Sequence, residues 1–277
     1  MKRRVLAGVV LGLGLLMSTA FAADPLAALS ETGSLGATAR EDLGALLKSV
    51  RGIGTCKDSL WNCLAKNARD DSAKRFGNFL VRRLKAGQSR ETVAREAQER
   101  AASFEDPARP IDLTGLTPLG SPTAKVVVVV YADFECPACR QAAPALAKAA
   151  RERPTQIAYY FKNFPLKTHP HALLAAQSAL AAQSLGRYYD FHDCLFKSSD
   201  ASEAAINACV ASLGIDAARF AKARAEKAVN ERLIRDKLEG VNLGMQATPG
   251  VFINGRAWRG AKTAAELSAR IDDELAR

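Results

Sequence analysis

The stretch KVVVVVYADFECPACRQ, residues 125–141, joins a long apolar run to a closely spaced cysteine pair. Its five valines are followed by an aromatic residue, and a continuous apolar run of this kind is typical of a central strand covered on both faces. Pro137 suits the first turn of a helix, where its missing N–H costs nothing. We therefore expect Cys136 and Cys139 to lie where this strand ends and a helix begins.

A Cys-x-x-Cys pair at the start of a helix indicates redox chemistry. Unpaired backbone N–H groups and the helix dipole stabilise a thiolate there and lower its pKa. We predict that Cys136 attacks and that Cys139 resolves the mixed disulfide. The alternatives are a structural disulfide or half of a zinc site, which would need two more ligands. The three histidines, His169, His171 and His192, form no second pair of this type, so we predict no metal and no other cofactor.

The chain after the cysteine pair has the order of a mixed α/β domain. TQIAYYFKNF, residues 155–164, predicts a strand, and helical patterns follow from about residue 171 to 243. GVFINGRAWRG, residues 250–260, predicts two short strands joined at Asn254–Gly255, a type I′ turn signal. The order of strand, helix, strand, helices, hairpin and helix predicts an α/β fold with an all-helical insertion.

The residues before this domain form a different region. From residue 23 to 104 the pattern is helical throughout, and Thr38 with Glu41 predicts a capping box for its first helix. Four prolines and two glycines then fall within residues 105–125. We predict a small helical module at 23–104, a linker at 105–118 and the α/β domain at 119–277.

The first 22 residues predict a secretory signal peptide. MKRR is a basic start, an uncharged apolar stretch follows, and AFA ends at a small-residue cleavage site. We therefore expect an exported, periplasmic or similar location, with no stable membrane insertion after cleavage. Six cysteines can form disulfides in such an oxidising compartment. The net charge of +10 is spread along the chain without an aromatic-rich basic segment, which disfavours a nucleic-acid partner.

Three motifs occur in the same order as in a known family. They are PLGSPTAKVVVVVYADFECPAC, YYFKNFPLKTHPHALLAA and GMQATPGVFINGRAWRG, and residues 117–277 resemble the DsbA-like branch of the thioredoxin superfamily. The resemblance implies a thioredoxin fold in which Thr248 and a cis Pro249 form a substrate-binding loop. It also implies cysteine-containing exported proteins as substrates and a membrane redox partner that resets the cysteine pair.

Two positions depart from the family pattern. Strongly oxidising members carry histidine where this chain has Ala138, and many relatives carry a buried carboxylate where it has Val130. Alanine donates no hydrogen bond to a thiolate, so we expect a less oxidising couple than the about −120 mV of DsbA. Asp133 and Glu135 are nearby acids for which a general-base role is only a hypothesis.

The other four cysteines are candidates for structural disulfides. Cys194 and Cys209 lie in neighbouring helices of the insertion and are expected to pair. Cys56 and Cys63 are too far apart to bridge along one straight helix, but Cys56 can fold back from outside it. Cross-pairing among the four stays open. The region around Cys56 is also similar to the helical domain of CcmH, which leaves open a redox role for Cys56 and Cys63.

These observations predict an exported protein thiol-disulfide oxidoreductase. One alternative is a disulfide isomerase or reductase that oligomerises through residues 24–104. Another is a client-specific redox or binding module of an assembly system such as cytochrome c maturation. A metal carrier that uses Cys136 and Cys139 is the least favoured.

Overall fold

The computed structural model describes residues 24–54 and 56–276, and the predicted signal peptide, residues 1–22, lies outside the described residues. Two short 3-10 turns come first, at Pro25–Ala28 and Thr32–Ser34. The first part of the chain then forms α1 (Ala37–Ser49), α2 (Leu60–Lys66), α3 (Asp71–Lys85) and α4 (Arg90–Glu105). The second part forms β1 (Val126–Ala132), α5 (Pro137–Glu152), β2 (Ile157–Asn163), α6 (Ala172–Ser184), α7 (Tyr188–Lys197), α8 (Glu203–Ser212), α9 (Ala217–Ala225), α10 (Lys227–Asn242), β3 (Gly250–Ile253), β4 (Arg256–Ala257) and α11 (Ala264–Leu275).

The valine-rich strand β1 lies inside a four-stranded sheet of order β2-β1-β3-β4. It runs parallel to β2 and antiparallel to β3, with Val130 opposite Val251. The turn between β3 and β4 uses positive φ at both Asn254 and Gly255, as the type I′ signal requires. All but one residue of β1 are buried, which is why its sequence is continuously apolar rather than alternating.

Successive β1 residues point to opposite faces of the sheet and enter two hydrophobic cores. Val128 and Val130 pack in the larger core, which also contains buried side chains of α5, the insertion and α11. Val129 and Tyr131 face the smaller core on the other side. Residues of the predicted linker cover this second face, because Ile111, Leu113 and Leu116 pack against it.

The helices α1 to α4 enclose a core of their own, so residues 24–105 have an apolar interior separate from the sheet. The α1 helix begins at Ala37 after Gly36, and the predicted Thr38–Glu41 capping box is therefore wrong. Glycine is an acceptable N-cap, which lets the helix start before the threonine. No helix in the described part of the chain has the length and hydrophobicity needed to cross a membrane.

The helical module is held to the α/β domain by buried ion pairs with α11. Arg100 of α4 bonds to Asp273 and Glu266, and Arg75 of α3 bonds to Asp273 at 3.1 Å. Arg100 and Asp273 are both almost fully buried. Because a buried charge without its partner is strongly destabilising, these contacts fix how the module docks. These ion pairs do not touch the cysteine pair. Lys125, just before the start of β1, bonds to the carbonyl oxygen of Leu275 in α11, whereas the cysteines follow the other end of the strand.

Candidate active site

The cysteine pair occupies the junction that the sequence predicts. β1 ends at Ala132, and Cys136 is the N-cap residue of α5, which begins with Pro137. Cys136 is 8% exposed, while Cys139, one turn into the helix, is not exposed at all. Both are free thiols in this structure. A reaction partner can therefore reach the first sulfur through a small opening, and the second only through the first.

The loop between α10 and β3 closes the site from the other side. Its Thr248–Pro249 peptide bond is cis. The Cys136 thiol donates a hydrogen bond to the carbonyl oxygen of Thr248 at 3.4 Å. The pairing of Gly250 with Tyr131 brings this loop to the end of β1 although it is more than a hundred residues away in sequence. The structure thus brings together the four predicted residues Cys136, Cys139, Thr248 and Pro249.

The two sulfurs have very different acidities. A hydrogen bond from the Cys139 thiol lowers the pKa of Cys136 to about 5. Burial opposes this shift, while the Thr248 side chain and the backbone N–H groups of Cys139 and Ala138 add to it. The same hydrogen bond, together with burial, raises the pKa of Cys139 well above its usual range. This difference produces one thiolate and one protonated thiol at neutral pH, which is the arrangement that thiol-disulfide exchange uses.

Two acidic side chains before Cys136 hold the site to the loop that follows β2. The carboxylate of Asp133 accepts hydrogen bonds from the N–H groups of Glu135 and Leu166, each at 2.8 Å, and lies 2.8 Å from His169 Nδ1. Glu135 accepts the His171 N–H at 2.6 Å. Both carboxylates are thus occupied as braces between two loops. Sequence reasoning missed the Asp133–His169 contact, although both residues stand inside quoted motifs.

A thioredoxin family model matches residues 113–273 of the chain. The chain belongs to the thioredoxin family. The match covers the sheet, the cysteine pair and the insertion, and it confirms the predicted α/β thioredoxin fold. It starts after the helical module, for which the similarity to CcmH has no support among these matches.

Solved structures with the same fold include a thiol-disulfide exchange protein. The α-DsbA2 protein of Wolbachia pipientis is 26% identical, with a TM-score of 0.53 over 65% of this chain and 97% of that one. A thioredoxin-like oxidoreductase from Silicibacter pomeroyi is 22% identical, with a TM-score of 0.54 over 59% and 94% of the two chains. BdbD of Bacillus subtilis is 20% identical, with a TM-score of 0.53 over 61% and 98%. The predicted resemblance to the DsbA-like branch is confirmed, and the two less similar structures support the fold alone.

Curated relatives include much longer proteins. The Na(+)/H(+) antiporter NhaA 1 of Salinispora arenicola is 34% identical over 160 residues, which are 57% of this chain but 24% of the antiporter. The chain thus spans about a quarter of the length of the curated relatives it matches.

An open apolar groove lies beside the thioredoxin site. It has a volume of about 400 Å³ and is lined by residues of the loop after β2, of the start of α6 and of α10. His169, which bonds to Asp133, is among the lining residues, and so are the exposed side chains of Leu173 and Ile234. Lys167 and Lys237 border it. The groove therefore offers apolar surface and positive charge, and the His169–Asp133 contact connects it to the loop that carries Cys136.

The four remaining cysteines form two disulfides away from the site. Cys194 of α7 joins Cys209 of α8, and Cys56 joins Cys63 of α2, each with a Cα–Cα distance of 5.8 Å. Cys56 lies outside the helix, in a loop that folds back, and Gly52 leaves room for the Cys63 sulfur. Both bridges lie within one region of the chain rather than between regions.

The two departures from the family pattern have visible consequences in the thioredoxin domain. Val130 is fully buried in the larger core, which also contains Cys139. Because its side chain is apolar, this position provides no carboxylate near that thiol. Ala138 is exposed and gives the Cys136 sulfur only its backbone N–H. Within the described residues, no group of three or more His, Cys, Asp or Glu side chains is arranged to hold a metal ion.

Proposed function

We propose that this chain is an exported protein thiol-disulfide oxidoreductase that exchanges the Cys136–Cys139 disulfide or dithiol with cysteines of other exported proteins. The observation that carries the proposal is the low pKa of Cys136, about 5, at the start of α5 and beside the cis Thr248–Pro249 loop. The oxidoreductase activity, the substrates and the location are inferred from this chemistry and from the DsbA-like relatives.

The proposed reaction moves two electrons in two steps. In the reducing direction the Cys136 thiolate attacks a substrate disulfide, and the leaving sulfur departs as a thiolate that takes a proton from solvent. Cys139 then loses its proton and attacks the Cys136 sulfur, which releases the second substrate thiolate. The substrate gains two electrons and the enzyme becomes a disulfide. The oxidising direction reverses every step, and a membrane redox partner resets the pair.

The Thr248–Pro249 loop is the proposed binding site for the substrate backbone. Pro249 has no N–H, and the carbonyl of Thr248 already faces the reactive sulfur at 3.4 Å. An extended polypeptide that carries the target cysteine can align with such a loop through backbone hydrogen bonds. The neighbouring groove, with its exposed apolar side chains, suits polypeptide that has not finished folding.

The experiment that tests the activity uses the mature chain and single-cysteine variants. The disulfide form is mixed with reduced, unfolded ribonuclease, and substrate disulfides are counted by mass spectrometry after alkylation. We expect Cys136→Ser, which cannot form the site disulfide, to leave the substrate reduced. Cys139→Ser is instead supplied as the thiol and mixed with oxidised ribonuclease; it should accumulate a mixed disulfide at Cys136, because the thiolate attacks a substrate disulfide and no second thiol resolves the product. Removing both Cys194 and Cys209 is the matched control and should leave exchange intact. Undiminished exchange by Cys136→Ser would refute the proposal.

Export is tested separately from activity. The full-length chain is expressed in a bacterium, and the N-terminus of the protein in the periplasmic extract is sequenced. We expect it to begin at Ala23, since AFA precedes that residue. An intact Met1 on cytosolic protein would contradict the proposed export.

The isomerase and client-specific alternatives lead to different results. An isomerase that oligomerises through residues 24–104 should restore activity to scrambled ribonuclease and sediment as a dimer or larger. A client-specific module should trap one partner when Cys139 is replaced by alanine, whereas a general oxidoreductase should trap many. A monomer that traps many partners would favour the proposed function over both.

A further inference from the structure

A fully buried carboxylate belongs to the same loop as the proposed nucleophile, between β1 and α5. The side chain of Asp133 has no solvent exposure, it lies three residues before Cys136, and its own N–H points at the Cys139 sulfur at 3.5 Å. It accepts hydrogen bonds from the N–H groups of Glu135 and Leu166, which hold the carboxylate in place. A negative charge at this place would oppose a thiolate at Cys136, because like charges disfavour one another.

His169 supplies a positive charge on the far side of that carboxylate. Its Nδ1 lies 2.8 Å from Asp133 Oδ2, and its side chain is 24% exposed, so the ring can exchange a proton with solvent. When the imidazole is protonated, Asp133 and His169 together carry no net charge. When it is neutral, the pair carries a net negative charge next to Cys136.

We propose that His169 is a positioning residue whose imidazolium cancels the Asp133 charge beside the Cys136 thiolate, so that protonation of His169 and ionisation of Cys136 favour each other. The inference deepens the proposed function, on which it rests only in taking Cys136 as the reactive thiolate. It assigns the carboxylate a bracing role and the histidine an electrostatic one.

The other charged groups around His169 are few. The hydrogen bond to Asp133 raises the pKa of His169, burial opposes this, and the negative charges of Cys136 and Glu135 add to the increase. Lys167 on its own loop and Lys237 of α10 line the same groove and act in the opposite sense, as like charges. Lys237 Nζ is directed to the carbonyl oxygen of Pro165 rather than to the histidine ring.

Reciprocity of coupled equilibria gives a first test that needs no substitution near the cysteines. If the thiolate favours the imidazolium, the pKa of His169 must be higher in the dithiol form than in the disulfide form, which carries no thiolate. We expect a difference of about half a unit to one unit by analogy with other nearby charges. Titration of the ring resonances by NMR in both redox states measures it, with His171 as the internal control. An identical His169 pKa in both states would overturn the proposal.

The second test is a double-mutant cycle. His169→Gln keeps a hydrogen-bond donor for Asp133 but removes the positive charge, so the pKa of Cys136 should rise and the equilibrium constant for reduction by glutathione should fall about three- to tenfold. Adding Asp133→Asn removes the opposing charge and should restore most of the loss. His171→Gln should change neither quantity.

The double variant separates charge from structure. If His169 only braced the loop, the two substitutions would add or worsen each other, and this outcome refutes the proposal. If Asp133→Asn prevents folding, two measurements still test the proposal: the thiolate titration of His169→Gln, and the difference in the His169 pKa between the dithiol and disulfide forms. Neither readout uses a protein substrate, so a chain inactive towards unfolded ribonuclease would refute the proposed function while the Cys136–His169 coupling could still be measured.

Discussion

Acidifying the reduced protein from pH 8 to pH 4 is expected to protonate Cys136 near pH 5 rather than near pH 9. The pKa of this thiol is lowered from 9.0 to about 5, chiefly by the hydrogen bond from Cys139. A lowered pKa stabilises the reduced form at pH values above the normal pKa, and the stabilisation is lost as the pH falls through the lowered one. The disulfide form has no thiol to titrate and provides the reference.

The size of the effect follows from the shift. At pH 7 the thiolate is favoured over a thiol of normal pKa by two units, about 2.7 kcal/mol. For a two-electron couple this corresponds to a potential about 60 mV more oxidising than that of an unshifted pair. The full pKa shift of four units, which stabilises the reduced form by about 5 kcal/mol, is effective only from pH 9 upwards. Because the pKa of Cys139 is raised, reduction should take up one proton at the cysteines between pH 5 and 8 and two below pH 5. The coupling proposed for His169 adds a fraction of a proton near the pKa of that ring and steepens the pH dependence only there.

Two assays check this prediction. Thiolate absorbance at 240 nm in the reduced protein should rise with a midpoint near pH 5, and Cys136→Ser should lack this rise. The potential, measured against glutathione with acid trapping, should fall by about 30 mV per pH unit above pH 5 and about 60 mV below it. A thiolate that forms only near pH 8, with a slope of about 60 mV up to that pH, would refute the reasoning.

Three further predictions concern stability, measured by urea unfolding of the oxidised protein. Replacing Cys194 and Cys209 by alanine should cost about 3 kcal/mol, the expectation for a loop of 15 residues; an unchanged midpoint would contradict it. Arg100→Met should cost about 3 kcal/mol, because it removes the almost fully buried partner of Asp273 and Glu266 and leaves them only the more exposed Arg75 and Arg83; a loss below about 1 kcal/mol would count against a buried ion pair. Gly120→Ala should cost more than about 2 kcal/mol, since its Cβ would overlap a carbonyl oxygen of β2, whereas Gly214→Ala, also at positive φ but facing open space, should cost about 1 kcal/mol; equal losses would show that the overlap does not matter.

The local signals of the sequence were enough for the core of the fold. The valine run and Pro137 predicted the strand and helix that flank the cysteines, because burial on both faces and a missing N–H restrict which residues fit there. Asn254–Gly255 predicted the hairpin turn because few residue types adopt the positive φ angles that a type I′ turn requires. The capping box at Thr38 failed because several residue types can cap a helix, and the glycine before α1 was one of them.

Contacts between distant parts of the chain could not be predicted in the same way. The Asp133–His169 pair joins loops 36 residues apart, and Arg100 meets Asp273 across 173 residues. Each partner alone has the sequence signature of an ordinary surface charge. Only the packing of β2 beside β1 and of α11 against the helical module buries Asp133, Arg100 and Asp273.

The departures at Ala138 and Val130 bear on where this protein sets the acidity of its cysteines. Neither side chain can donate a hydrogen bond to the sulfurs or place a charge beside them. The pKa of Cys136 is nevertheless lowered to about 5, although it stays above the about 3.5 of DsbA. The groups that remain are the Cys139 thiol, the Thr248 side chain, backbone N–H groups and, on our proposal, the imidazolium of His169. Backbone donors are fixed by the start of α5, but a histidine responds to pH. The proposed coupling would therefore make the potential depend on solvent pH through the loop after β2, rather than through the dipeptide between the cysteines.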